Sequence, residues 1–270
     1  MKSNDTIPYP PLRQRLYSVW YRHMRVYAQH IISNGFPPFF EPLIFLAGVG
    51  LGLGRYIEPI NGQPYVQYLA IGLLITSSMW TSFFECTFGT FIRMEFQKVY
   101  DGMLAAPITA NNLIVGEMLW AASKGFFFSF AVLCMLTLVS LIFPNAMPML
   151  PMPYALTAPL IGFVNALMFA AMALLITSFV KTINHFNFFM TGIISPMFFF
   201  SGVVFPVGNL PKPIRPIAEF VPLTHSVRIM RSICSLEFKP ILLWDTGFII
   251  VFTVIVGWFA IRRLNHRLVR

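Results

Sequence analysis

The sequence is poor in charged residues and lacks the motif of a nucleotide site. Of its 270 residues only 11% are Asp, Glu, Lys or Arg, whereas soluble domains carry roughly 25%. It holds three cysteines, an odd number, so no disulfide framework is indicated. No G-x-x-x-x-G-K-[ST] run occurs, so the chain has no phosphate-binding loop of its own. These absences exclude an ordinary soluble domain, a disulfide-stapled module and a self-contained ATPase.

Motifs of catalysis and metal binding are absent as well. The five histidines are scattered without H-x-x-x-H spacing, and no G-x-S-x-G nucleophile motif is present. A glycine run at residues 48–54 lacks the G-x-G-x-x-G spacing of a dinucleotide site, and close packing of helices explains it better. We therefore expect no catalytic residue, no metal and no cofactor bound by this chain.

Apolar residues are abundant and arrive in blocks. Hydrophobic side chains make up 57% of the chain, and the mean hydropathy is +0.70. Blocks of about 20 residues match the length of a helix that crosses a bilayer. The sequence thus predicts an all-α membrane protein with six transmembrane helices. The predicted spans cover residues 36–54, 66–92, 113–143, 154–180, 186–207 and 242–261.

The first 33 residues are predicted to form a cytoplasmic tail and an amphipathic helix, ahead of a membrane domain over residues 34–270. Leu16, Val19, Trp20 and Tyr27 recur near helical spacing, with arginines between them. This pattern favours a helix that lies in the membrane interface. A soluble helix packed on a partner protein is the alternative.

The positions of the basic residues predict the orientation. The net charge is +9, and the clusters at both ends indicate an anionic lipid surface rather than nucleic acid. With the amino terminus inside, twelve Lys and Arg residues fall in cytoplasmic segments and six in outer segments. Both termini are therefore predicted to be cytoplasmic.

Four charged residues of the predicted spans fall in the inner half of the membrane, namely Glu41, Glu85, Glu117 and Lys124. Charges inside a membrane are costly, so they usually face a protein interior or a water-filled path. Lys124 could be neutralised by Glu85 or by Glu117. These residues form either a polar patch at the inner mouth of a transport path or an ion pair that locks two helices together. Phenylalanines at 126–130 and 198–200 could line such a path or simply face lipid.

Two segments between spans carry their own patterns. Residues 93–107 are too polar to span the membrane and too regular for a slack linker, which favours a short helix along the membrane that a partner could use as a lever. Its candidate coupling residues are Arg93, Glu95, Gln97, Lys98, Asp101 and Pro107. Residues 208–241 are broken by prolines yet partly apolar, which indicates re-entrant outer helices or, alternatively, an ordinary exterior loop.

Two sets of short segments resemble a known family. SGVVFP at 201–206, LP at 210–211 and PLTH at 222–225 resemble the carboxy-terminal signature of ABC-2-type transporter permeases. The outer signature residues are Gly202, Phe205, Pro206, Pro211, Pro222, Thr224 and His225. More narrowly, FECTFGTF at 84–91, LAAPI at 104–108 and GE at 116–117 resemble the NodJ-like permeases of lipo-oligosaccharide exporters.

The resemblance implies an architecture, a set of partners and a function. It implies two permease subunits side by side in a bacterial inner membrane, with two soluble P-loop ATPase subunits beneath them that carry ATP and Mg²⁺. The coupling helix would correspond to residues 93–107. The implied cargo is an amphipathic or glycan-bearing molecule, such as a lipo-oligosaccharide, a polysaccharide or a drug.

Two other functions remain open from the residues alone. An ion-coupled secondary transporter would relay protons through Glu41, Glu85 and Lys124. A membrane assembly scaffold would bind a periplasmic partner through its outer loop.

Overall fold

The computed structural model describes residues 9–54, 56–60, 62–144, 150, 154–237 and 239–268. Three basic residues of the orientation count, Lys2, Arg55 and Arg270, lie outside these ranges. Within them the chain consists of helices and turns, and the only β pairing is an isolated bridge between Ile60 and Gln63. The predicted all-α class is confirmed.

Thirteen α-helical segments make up the described fold. They are α1 Leu12–Gln29, α2 Ile31–Gly35, α3 Pro37–Phe45, α4 Gly52–Gly54, α5 Tyr65–Phe84, α6 Val99–Leu104, α7 Ala110–Ile142, α8 Ala158–Phe179, α9 His185–Phe189, α10 Ser195–Phe200, α11 Arg215–Glu219, α12 Pro222–Ser235 and α13 Ile241–Leu268. Wider π-helical turns join or extend several of them, at Leu46–Leu51, Glu85–Gly89, Ile92–Phe96 and Met190–Ile194. Such turns often occur at functional sites.

Four of the described helical stretches are long and apolar enough to cross a membrane. They are Tyr65–Phe96, Ala110–Ile142, Tyr154–Phe179 and Ile241–Leu268, which match the second, third, fourth and sixth predicted spans. The stretches at the first and fifth predicted spans, Phe40–Gly54 and His185–Phe200, are apolar but shorter. The total of six spans therefore stays a prediction.

The second long helix runs further than the sequence pattern indicates. The predicted span covers residues 66–92, and the helix that contains it continues through a π-helical turn, Ile92–Phe96. The break comes at Lys98, whose left-handed backbone (φ 51°) precedes α6. Arg93 and Glu95 therefore lie on the end of this helix, and only part of the segment 93–107 forms a separate short helix. The helix can continue because both charges find partners of opposite sign.

The core of the bundle is formed by α5, α7, α8 and α13. Small residues let α7 and α8 approach closely, since a Cβ added at Gly162 would lie 2.7 Å from the Cβ of Ser129. Ser129 also donates a hydrogen bond from its hydroxyl to the carbonyl oxygen of Leu74 on α5, at 2.8 Å. Small residues and inter-helix hydrogen bonds are the usual means by which membrane helices associate.

Helix α1 lies against α7. Val19 and His23 are its buried residues, and Trp20 donates from Nε1 to the hydroxyl of Ser123 at 3.0 Å. The close approach depends on Gly116, where an added Cβ would lie 2.5 Å from Cγ1 of Val19. The amino-terminal helix is thus anchored to the third predicted span.

Candidate functional site

A network of buried charges lies where α5, α6, α7 and α1 meet. Arg93 is at its centre: Nη1 donates to Oε1 of Glu85 at 2.8 Å, and Nη2 donates to Oε2 of Glu117 at 2.7 Å. Lys124 donates from Nζ to the other carboxylate oxygen of Glu85, also at 2.8 Å. Two carboxylates and two cations cancel, which is the condition for keeping charges out of water.

Tyr100 connects α6 to this network. Its hydroxyl donates to Oε1 of Glu117 at 2.6 Å, and its side chain is buried. Burial, followed by the nearby Glu117 carboxylate, raises the pKa of Tyr100 well above its usual value. The hydroxyl therefore keeps its proton and remains a donor. On the other side, Nε2 of His23 on α1 lies 3.0 Å from the same oxygen of Glu117.

These contacts form one continuous chain, which we call the relay: Tyr100, Glu117, Arg93, Glu85 and Lys124. Its bonds are 2.6, 2.7, 2.8 and 2.8 Å long. It begins on the short helix α6 and ends on α7, two turns beyond Glu117. The relay thus connects α6 by direct contacts to charges inside the bundle.

The far end of the relay reaches a cavity of about 450 Å³ between α3, α5, α7 and α10, which we call the lateral cavity. Its lining is Glu41, Pro42, Phe45, Leu73, Thr76, Ser77, Trp80, Thr81, Phe84, Lys124, Phe128, Ser195, Phe198 and Phe199. Glu41 is exposed and forms part of the cavity wall, but it makes no hydrogen bond or ion pair with the residues of the relay. Of the two phenylalanine groups singled out from the sequence, Phe128, Phe198 and Phe199 line the cavity, and the other four do not, namely Phe126, Phe127, Phe130 and Phe200.

The candidate coupling residues divide into two groups. Four of them, Gln97, Lys98, Asp101 and Pro107, have exposed side chains. The other two are partly buried and paired with side chains of the bundle, and their coupling role stays a prediction. Arg93 belongs to the relay, and Glu95 accepts a hydrogen bond from Nη2 of Arg267 at 2.8 Å.

The sequence reading missed several members of these clusters. His23, Tyr100 and Arg267 have no spacing that marks them, because their partners are distant along the chain. Arg267 on α13, for example, is 172 residues from Glu95. Their polarity does not mark them either, since His23 lies among the arginines of α1 and Arg267 in the basic end of α13.

The outer signature residues form a turn and the start of a helix. Gly202 has a left-handed backbone (φ +87°), and its carbonyl oxygen accepts bonds from the Tyr68 hydroxyl and from Nη2 of Arg231, each at 2.8 Å. Glycine takes this conformation without the steric cost of a Cβ. Phe205 and Pro206 follow, half-buried, and Pro211 is exposed.

The second half of the signature anchors α12. Pro222 is in the first turn of α12, and the hydroxyl of Thr224 donates to the carbonyl oxygen of Ala218 at 2.7 Å. His225 is fully buried, with Nδ1 2.7 Å from Oδ1 of Asp245 and Nε2 2.9 Å from the carbonyl oxygen of Glu219. Asp245 on α13, which the sequence reading also missed, thereby ties the outer segment to the last long helix.

Comparison with known proteins gives a consistent result. Residues 14–234 match the family described as ABC-2 type transporter. The chain is 30% identical to nodulation protein J of Rhizobium leguminosarum bv. viciae, over 94% of this chain and 95% of that protein. It is 32% identical to nodulation protein J of Rhizobium meliloti (strain 1021), over 80% and 79%. It is also 24% identical to the inner membrane transport permease YadH of Escherichia coli (strain K12), over 92% and 94%. The chain belongs to the ABC-2 type transporter family.

Proposed function

We propose that this chain is the permease subunit of an ATP-binding-cassette exporter in a bacterial inner membrane, with ATP and Mg²⁺ bound by separate ATPase subunits. Membership of the family supports a permease, and one relative is named an inner membrane transport permease. The proposal includes six spans, cytoplasmic termini, two copies of this chain and two P-loop ATPase subunits. The cargo is an amphipathic or glycan-bearing molecule.

The relay is the observation that carries this proposal. A transporter without its own ATP site needs a mechanical connection from an exposed surface to the path of the cargo. Here Lys98, directly before α6, and Asp101 on α6 are exposed, whereas Tyr100 on α6 is buried and bonds Glu117. From Glu117 the bonded chain reaches Lys124 in the wall of the lateral cavity. An ATPase that moves α6 would therefore shift charges at the cavity.

The outer segment supports the same arrangement from the opposite end. Arg231 of α12 donates from Nη1 to the carbonyl oxygen of Tyr68 at 2.9 Å, and from Nη2 to that of Gly202. These bonds hold α12 on the start of α5, whose other end carries Glu85. A movement of α5 would then reach both the relay and the re-entrant segment.

Charge reversal on α6 tests the proposal. In the complex with its P-loop ATPase, reconstituted in vesicles, the double variant Lys98→Glu/Asp101→Lys is expected to hydrolyse ATP but to export little of a fluorescent amphiphile. Tyr100→Phe, which removes one bond of the relay and leaves the surface unchanged, is expected to lower the amount exported per ATP as well. ATP hydrolysis and export are measured on the same vesicles.

The control is Lys212→Glu, which reverses another exposed lysine, in the outer segment. It is expected to behave like the unaltered protein. Unchanged export by both α6 variants would contradict the lever role. Transport driven by a proton gradient without ATP would instead support the secondary transporter, and absence of any transport with an intact complex would support the scaffold.

A further inference from the structure

The lateral cavity carries an unbalanced negative charge. The positive charge of Lys124 in its wall is matched by Glu85, at 2.8 Å. Glu41, across the cavity on α3, is exposed to it, and in the described ranges no Lys, Arg or His nitrogen lies within 4.0 Å of its carboxylate. Glu41 lies in the middle of α3, within a predicted span, and an ionisable residue in a span that faces a cavity is a candidate ligand contact.

Aromatic side chains form much of the remaining wall. Trp80 and Phe84 are stacked on one face of α5, with ring centroids 5.8 Å apart and planes 27° from parallel. Phe45 and Phe198 meet edge to face at 6.0 Å. The faces of aromatic rings attract cations, and tryptophan does so most strongly. The cavity already shows this contact, because Nζ of Lys124 lies 5.7 Å from the centroid of the Phe128 ring.

The size of the cavity suits a molecule rather than an ion. Its volume of about 450 Å³ lies within the range of about 300–1,000 Å³ found for small-molecule sites. The only charged side chains in the described lining are Glu41 and Lys124; four hydroxyl side chains, Thr76, Ser77, Thr81 and Ser195, and eight apolar or aromatic ones form the rest. Such a wall fits an amphipathic body with one charged group.

We infer that the lateral cavity binds amphipathic organic cations, with Glu41 as the counter-ion and Trp80 and Phe84 as the aromatic contacts. This inference rests on the proposed function, since it names the class of cargo for the same cavity. An anion would meet Glu41 with no free cation in the described lining to offset it. A neutral glycan would bind without needing the charge of Glu41.

Two probes of similar shape and opposite charge separate these cases. Radiolabelled tetraphenylphosphonium and tetraphenylborate are bound to the purified permease–ATPase complex in nanodiscs, without ATP, and protein-free nanodiscs supply the background. Glu41→Gln is expected to weaken phosphonium binding by about tenfold and to leave borate binding unchanged or stronger. Glu58→Gln, at an exposed glutamate outside the cavity, is the matched control and is expected to change neither.

A second variant tests the aromatic contact. Trp80→Leu keeps an apolar side chain but removes the ring, and is expected to weaken phosphonium binding more than borate binding. Phosphonium binding that is unaffected by Glu41→Gln would overturn the inference, as would equal losses for both probes. An intact complex that binds neither probe would overturn it too.

Failure of this inference is distinguishable from failure of the proposed function. Probe binding is measured without ATP, whereas the proposed function is tested by ATP hydrolysis and export with variants on α6. A complex that exports a neutral amphiphile but does not bind the phosphonium at Glu41 would retain the exporter and reject the cationic cargo.

Discussion

Arg93 holds two carboxylates at once, and this explains how four charges persist inside an apolar bundle. Its planar guanidinium offers donors in a fixed fork, so one side chain bonds both Glu85 and Glu117. A lysine at this position would present a single point charge and could not span both partners in the same way. The remaining oxygens of the two carboxylates are met by Lys124 and Tyr100.

A double-mutant cycle tests how strongly Glu85 and Lys124, the pair beside the lateral cavity, stabilise the protein. Glu85→Gln removes the carboxylate that Lys124 and Arg93 share and is expected to lower the free energy of unfolding by about 3 kcal/mol. Lys124→Met leaves Glu85 bonded to Arg93 and is expected to cost less. The double variant is expected to cost less than the sum of the two, by about 1–3 kcal/mol. Unfolding of the purified protein by sodium dodecyl sulfate, followed by circular dichroism, measures this.

Glu58→Gln is the control for the cycle, since Glu58 is exposed and is expected to have no coupling with Lys124. Additive losses for Glu85 and Lys124 would show that the 2.8 Å contact contributes no pairwise stabilisation. In that case the relay would end at Glu85, short of the cavity.

At the scale of helices, the close contact of α1 with α7 requires a small residue at position 116. Val19 fits where Gly116 has no side chain, and His23 and Trp20 follow on the same face of α1. The sequence showed the apolar stripe of α1 but not its partner. The position of α1 therefore depends on a shape match that no pattern within either helix reveals.

A paired substitution tests this docking. Gly116→Ala places a methyl group too close to Val19 and is expected to lower the free energy of unfolding by about 1–3 kcal/mol. Val19→Ala in the same chain makes room and is expected to restore part of that loss. The readout is the detergent-dependent unfolding of the purified protein, as for the charge pair.

Gly247→Ala is the matched control on α13, where an added Cβ would meet nothing within 4 Å. It is expected to leave the free energy of unfolding nearly unchanged or slightly raised, because alanine favours a helix more than glycine does. If Gly116→Ala were equally harmless, α1 would not be held against α7 at this point.

The carboxy-terminal end of the second long helix shows why the boundaries of helices are hard to predict from sequence. Hydropathy falls at Arg93 and Glu95, so the sequence pattern places the end of the span before them. In the structure both charges have partners of opposite sign. Arg93 is paired with Glu85 and Glu117, and Glu95 is paired with Arg267. Paired charges do not end a helix, and the pairing is not visible until the partners are brought together.

At the scale of the whole molecule, the distribution of basic residues predicts the topology. Cytoplasmic loops of membrane proteins are enriched in Lys and Arg, and twelve such residues lie in the segments predicted to be inside. This distribution predicts that both ends of the chain face the cytoplasm, and that α6 lies on the same side, where the proposed ATPase would bind.

Reporter fusions test this orientation. Green fluorescent protein fused after residue 270 is expected to fluoresce, because it folds in the cytoplasm. Alkaline phosphatase inserted at residue 212 is expected to be active, because it needs the periplasm. The same phosphatase inserted at residue 181 is the internal control and is expected to be inactive. A phosphatase that is active at 181 or inactive at 212 would contradict the proposed topology.

The sequence by itself determined the class of protein, because a chain with so many apolar blocks and so few charges is stable only as helices in a bilayer. It also marked Glu41, Glu85, Glu117 and Lys124, since charges in such blocks stand out. Only the tertiary structure decided which charges meet and that Arg93 is buried among them. It alone decided that Tyr100 on α6 is connected to the lateral cavity through the relay. The physical reason is that helix periodicity is a local property of the chain, whereas ion pairs form between side chains that folding brings together from distant positions.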